Sequence, residues 1–94
     1  MEIKDNTFSR QFETIVNGKQ IAIEYVIQER KLFLTKIVDR DSCATDEDLE
    51  QFLNNVLDIV IERKLKVVPT FPKIVQLFRK NPKHKELLPP GIRI

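Results

Sequence analysis

Thr45–Pro72, reading TDEDLEQFLNNVLDIVIERKLKVVPTFP, constrains this chain more than any other stretch. Leu49, Phe52, Leu53, Val56, Leu57 and Val60 recur at the i, i+3, i+4, i+7 spacing of a helix with one buried face. Thr45 is placed as the N-cap, and Asp46, Glu47 and Asp48 set negative charge against the positive end of the helix dipole. Arg63, Lys64 and Lys66 supply positive charge at the other end. The pattern then switches to a short strand, Lys66-Val67-Val68-Pro69, which its proline stops. Ile59 and Ile61 widen the apolar stripe, so the helix should be covered by a sheet beneath and a second helix beside it.

The segments on either side follow from this. Met1–Asn6 is polar and reads as a loosely held terminus. Phe8–Val16 reads as a strand with Phe12, Thr14 and Val16 on one face. Asn17-Gly18 then predicts a type I′ hairpin, because both central positions of that turn need positive φ. The return strand alternates, with Ile21, Ile23, Tyr25 and Ile27 on one face. Gln28–Lys31 is a polar connection lacking glycine, asparagine and proline. Leu32–Val38 is apolar except at Thr35 and Lys36, which predicts a strand covered on both faces.

That strand, the long helix and Lys66–Val68 form a β-α-β unit, whose two strands should run parallel. A second helix is expected over Lys73–Asn81 with Ile74, Leu77 and Phe78 inward, and Pro82 closing it. A last helical turn is expected around Lys83–Leu88. Residues 89–94 read as a second loose end, with Ile92-Arg93-Ile94 either frayed or an added edge strand. The order is β-β-β-α-β-α: an α+β domain spanning 1–94, an α/β sandwich whose sheet is mostly an antiparallel meander with one parallel pair.

Composition narrows the function classes. One cysteine, Cys43, precludes an internal disulfide and fits a reducing, cytoplasmic setting. One histidine, His84, leaves no cluster for a structural zinc, and the acids Asp46, Glu47 and Asp48 lack the glycine and spacing of a calcium loop. No metal is expected. No apolar run approaches the roughly 20 residues needed to span a bilayer, so no membrane role is expected. Charge is unevenly placed. Asp39, Asp41, Asp46, Glu47, Asp48 and Glu50 face only Arg40 in their segment, whereas Lys and Arg dominate from Arg63 onward. The basic residues Lys73, Arg79, Lys80, Lys83 and Lys85 suit phosphates, but no exposed aromatic interleaves with them as single-strand binding requires.

The element order, together with KLKVVPTFPKIVQLFRKNPKHKELL at its end, resembles the small single-domain YjdJ-like branch of the GNAT N-acetyltransferase superfamily. The similarity runs from about Phe12 to Leu88. It rests most on Gly18, the Leu65–Pro69 strand, Pro72, Pro82 and Leu87-Leu88. It implies acetyl-CoA bound where the strands Leu32–Val38 and Lys66–Pro69 splay apart. Ile37 and Val38 would meet the pantetheine, and the pyrophosphate would sit on the long helix's N-terminus. The family's Arg-Gly-x-Gly-x-Gly loop falls on Ala44, Thr45, Asp46, Glu47, Asp48 and Leu49, where this chain has no glycine and three acids. Such a loop works by exposing bare backbone N–H groups to an anion. The family's His-Thr pair falls on Lys36-Ile37, its cysteine on Thr70, and its C-terminal histidine on Asn81. The resemblance therefore implies the fold with weak or absent acetyl-CoA binding.

Three residues carry catalytic potential. Cys43 precedes a helix N-terminus, which lowers a thiol pKa, although the acids beside it oppose this. Thr70 is a nucleophile by position in the resemblance and a helix cap by chemistry. His84, in a proline-flanked basic segment, reads as a surface histidine, and as a general base if it folds over the cleft. Three functions follow: an acetyl-CoA-dependent acyltransferase, a non-catalytic module of the same fold binding a protein or small ligand, and a basic nucleic-acid-associated module.

Overall fold

The computed structural model describes residues 1–40, 42, 44–80, 82–89 and 91. Five strands, β1 (Lys4–Asn6), β2 (Gln11–Val16), β3 (Lys19–Gln28), β4 (Lys31–Val38) and β5 (Lys66–Pro69), form one mixed sheet in the order β1-β2-β3-β4-β5. Helix α1 (Asp46–Glu62) joins β4 to β5, and α2 (Pro72–Lys80) follows, then a 3₁₀ helix, Pro82–Leu87. The β1–β2, β2–β3 and β3–β4 pairs are antiparallel, and β4–β5 is parallel, as a β-α-β unit requires.

The turns set the register. Val16 pairs with Lys19, leaving Asn17 (φ 51°) and Gly18 (φ 77°) as a two-residue turn with both φ angles positive. The β3–β4 connection is equally tight. Gln28 pairs with Lys31, so Glu29 (φ 51°) and Arg30 (φ 64°) make the whole turn, in a conformation that L-residues with side chains adopt at a cost. Register shifts at Glu24/Tyr25, so Tyr25 pairs with Leu34 after Glu24 pairs with Lys36. This bulge keeps both Leu34 and Ile37 toward the core.

One face of the sheet carries the core. Phe12, Ile21, Ile23, Tyr25, Leu32, Leu34 and Val67 join Leu49, Phe52, Leu53, Val56, Leu57 and Val60 of α1 and Ile74, Leu77 and Phe78 of α2 in one cluster. The other face is more open, which corrects the expectation that Leu32–Val38 is covered on both sides. Phe33 is half-buried, Thr35 and Lys36 are exposed, and Ile15 beyond them is 61% exposed. The strand is apolar because it is central, with neighbours at both edges, rather than because two layers enclose it.

The amino terminus is also corrected. Lys4–Asn6 is an edge strand, with Asp5 opposite Phe12. Asn6 Nδ2 and Gln11 Nε2 donate to Glu13 Oε2 at 3.0 and 2.5 Å, holding that carboxyl below its ordinary range. Thr14 Oγ1 donates to the Glu2 carbonyl at 2.8 Å. At the other end Pro89 is buried and Gly91 exposed, while Ile92, Arg93 and Ile94 lie outside the described residues.

Helix α1 is closed at both ends by its own chain. Thr45 and Asp48 form a reciprocal capping box. At the carboxyl end Leu65 N–H donates to Val60 O at 3.2 Å and Lys64 N–H to Ile61 O at 3.0 Å, a Schellman pattern with Lys64 at φ 58°. Arg63 caps the helix through its backbone N–H, while its guanidinium leaves the last carbonyls for Asp5.

Candidate functional site

The β4–β5 ladder runs from Lys31/Lys66 to Leu34/Pro69 and stops there. Strand β4 continues to Val38 whereas β5 ends at Pro69, which leaves a fork where the resemblance implies a cofactor. Thr70 stands at the fork. Its N–H and its hydroxyl both donate to the Leu34 carbonyl, at 3.1 and 3.0 Å. It is therefore not the cap of α2, whose first turn closes from Val75 N–H to the Phe71 carbonyl. The hydroxyl proton is held by a carbonyl, not by a group that could remove it.

The expected cofactor residues are spread across this opening in different environments. Ile37 is half-buried against the core and Val38 is half-buried on the outer face, where it lines a cavity of about 290 Å³ with Ala22, Glu24 and Arg40. Ala44 packs on the core and donates its N–H to Asp39 Oδ2 at 3.1 Å. Thr45 Oγ1 accepts the Asp48 N–H at 3.1 Å, and Asp48 Oδ2 accepts the Thr45 N–H at 3.0 Å. Asp46 Oδ1 pairs with Lys73 Nζ of α2 at 2.6 Å, and this hydrogen bond holds the exposed Asp46 carboxyl below its ordinary value. Glu47 is exposed. The first turn of α1 is thus furnished with carboxylates of its own, two of them engaged, where an anionic ligand would need open N–H donors.

Cys43 and Asn81 lie outside the described residues. Among the basic residues considered for phosphate contact, Lys73 is committed to Asp46, Arg79 and Lys80 are exposed, and the Lys83 and Lys85 side chains are not described.

His84 is a correction of substance. It is 8% exposed, not a surface residue, and its ring lies 5.3 Å from that of Phe78. Burial lowers its pKa, partly opposed by the carboxylates of Glu50 and Asp58. It does not fold over the fork between β4 and β5. It lines a second cavity, about 520 Å³, with Asn54, Asp58, Ile61 and Glu86. No sequence signal marked this, because the burial comes from the packing of the 3₁₀ segment against α1 and Phe78.

Among the described residues no three His, Cys, Asp or Glu side chains converge on a metal site. No described helix is long and apolar enough to cross a membrane. Comparison of the chain with protein-family models, with curated proteins and with solved structures gives no match.

Proposed function

We propose that this protein is a GNAT-like fold serving as a non-catalytic binding module for a protein or small ligand, without acetyl-CoA-dependent acyl transfer. The observation that carries this reading is the capping box of α1. Asp48 and Thr45 satisfy each other's N–H groups, so two of the donors at the helix end that a pyrophosphate would use are already taken. Asp46 adds a second carboxylate, neutralised by Lys73 rather than left to attract a cation or removed to admit an anion. The position of Thr70, bonded to Leu34 O without a base, supports the same reading.

Acyl transfer stays as the second reading on one feature. No described strand pairs with Thr35–Val38 on the β5 side, and that edge could accept the amides of an extended ligand.

Thermal melting with millimolar acetyl-CoA separates the two. A ligand at 100 times its dissociation constant adds about 2.7 kcal/mol, which is easily resolved as a shift. No shift is expected. A saturable rise would restore the acyltransferase. In a companion variant, Asp46→Gly with Asp48→Gly, the opened helix end should gain measurable anion binding relative to its own ligand-free control.

A further inference from the structure

The 3₁₀ helix Pro82–Leu87 carries the chain's one histidine into the interior. The His84 ring packs on that of Phe78, which is fully buried, and its Nδ1 is itself buried with no hydrogen-bond partner. A neutral imidazole with its proton on Nε2 tolerates this at modest cost, because Nδ1 then carries a lone pair. An imidazolium does not. Both its nitrogens are donors, so a charged N–H would be buried with nothing to receive it. The cation therefore requires the ring to leave its place.

The segment that holds the ring is short and lightly tied. Six residues of 3₁₀ helix have poorer hydrogen-bond geometry than an α-helix of the same length. Lys66 Nζ of β5 reaches the Glu86 carbonyl at 3.4 Å, a long bond in an exposed position. Leu87 and Leu88 are half-buried against the core. The charges around the ring come from each neighbouring element. From α1, Glu50 and Asp58 favour the cation, and burial outweighs them. From α2 the ring meets Phe78, while Arg79 and Lys80 are exposed. Within the segment Glu86 is exposed, and Lys83 and Lys85 flank the histidine in sequence.

We propose that Pro82–Leu87 is an acid-sensitive latch: uptake of one proton by His84 unseats the segment from α1 and α2 and uncovers Phe78, while the sheet and α1 stay folded. The device is separate from the amino end of α1 and does not depend on the GNAT-like reading.

The test follows backbone amide exchange in the full chain at about pH 7 and about pH 5, in urea below the unfolding transition. Each rate is divided by that of an unstructured chain at the same pH. Amides from His84 to Leu88 should exchange through an opening that urea barely affects, because it exposes little surface. Those of Phe52–Val60 should follow urea as global unfolding does. Binding of one proton changes an equilibrium by at most about tenfold per pH unit, so this local opening should rise at least about fivefold between the two conditions. The imidazole signals of His84 and the methyl signals of Leu87 and Leu88 should titrate with one midpoint. In His84→Gln the local opening should no longer respond to pH; if that variant's segment is already open at pH 7, the parent's shared midpoint decides. The proposal is overturned if His84–Leu88 exchange only with the urea dependence of α1, or if their opening is the same at both pH values. It is equally overturned if His84→Gln keeps the response, or if His84 titrates while the Leu87 and Leu88 signals stay fixed.

Discussion

Asp5 and Arg63 are 58 positions apart in sequence, yet Oδ2 of the first lies 2.7 Å from Nη2 of the second. The other Asp5 oxygen accepts the Tyr25 hydroxyl at 2.6 Å, and the Arg63 guanidinium carbon stands 5.9 Å from the centre of the Phe12 ring. One carboxylate thus ties the edge strand β1 to the middle of the sheet and to the carboxyl end of α1. Asp5→Ala should cost about 2 kcal/mol, since it leaves a buried hydroxyl without an acceptor. Asp5→Asn, which keeps an acceptor and loses the charge, should cost less than about 1 kcal/mol, because Arg63 is partly exposed and the pair is screened. Urea denaturation of both variants decides, and equal losses would show that the charge, not the hydroxyl, carries the contact. Burial and the Asp5 carboxylate push the Tyr25 hydroxyl up to about 12 from an ordinary 10.0. The folded state therefore holds its proton where the unfolded state has lost it, and stability should fall as pH rises from about 10 to about 12. Tyr25→Phe should flatten that slope.

Arg10, Glu29, Arg30, Ser42 and Lys64 occupy positions suited to glycine or asparagine, and three of them, Glu29, Arg30 and Lys64, lie in tight turns or a helix end at φ 51°, 64° and 58°. Replacing Glu29-Arg30 with Asn-Gly should stabilise the protein by about 1 kcal/mol or more, and Lys64→Gly by up to about 1 kcal/mol. Gly18→Val should do the reverse. Nothing lies within 4 Å of an added Cβ there, so its cost comes from φ alone, on the order of 1–2 kcal/mol. Denaturant midpoints measure all of these. Destabilisation by Asn-Gly would mean that the Glu29 or Arg30 side chain contributes more than its strained backbone costs.

Phe52 and Leu53 are fully buried on α1. Truncating either to alanine should cost about 2–5 kcal/mol through lost burial and an unfilled cavity. Native stabilities are of order 5–15 kcal/mol and smallest for short chains, so either variant should be largely unfolded at 37 °C by circular dichroism. A cooperative melt near the parent's would contradict the packing of this helix.

His84 gives a second pH dependence of opposite sense. Its imidazole titrates below the ordinary 6.5, because burial disfavours the cation more than Glu50 and Asp58 favour it. The unfolded chain takes up a proton first as pH falls, so stability is full above about 6.5 and is lost progressively below it. Urea denaturation at pH 7.5 and 5.5, compared between the parent and His84→Gln, isolates the effect from the carboxylates. A parent that loses no more than the variant would refute it.

Helix α1, the strand after it and the Asn17-Gly18 hairpin were legible in the sequence because each is specified locally, by spacing, by a cap or by a turn dipeptide. Strand β1 was not legible. Three polar residues carry no periodicity, and what holds them is the register against β2 and the reach of Asp5 to Tyr25 and Arg63. The Glu29-Arg30 turn was blurred because its residues contradict their own φ angles, the strands on either side imposing what the turn disfavours. At the candidate site, Thr45 was legible as a cap but the answering carboxylate of Asp48 was not, since aspartate is a less usual partner in a capping box than glutamate. His84 and Thr70 were misplaced for one reason. Their partners, Phe78 and the Leu34 carbonyl, are set by how helices and strands pack, which no neighbouring residue reports.

The sheet's spatial order matches its order along the chain, and this bears on how the molecule is assembled. Each strand from β2 to β4 can add to an edge its predecessor has just presented, by closing a loop of only a few residues. The last addition differs, because β5 reaches β4 only after the 17 residues of α1 have formed or been bypassed. Until then β4 is an open edge, the kind that recruits strands from other chains during synthesis. Lys31 and Lys36 stand on that strand and Thr35 interrupts its apolar run, so the interval before closure is guarded by residues that the finished fold leaves half-buried or exposed.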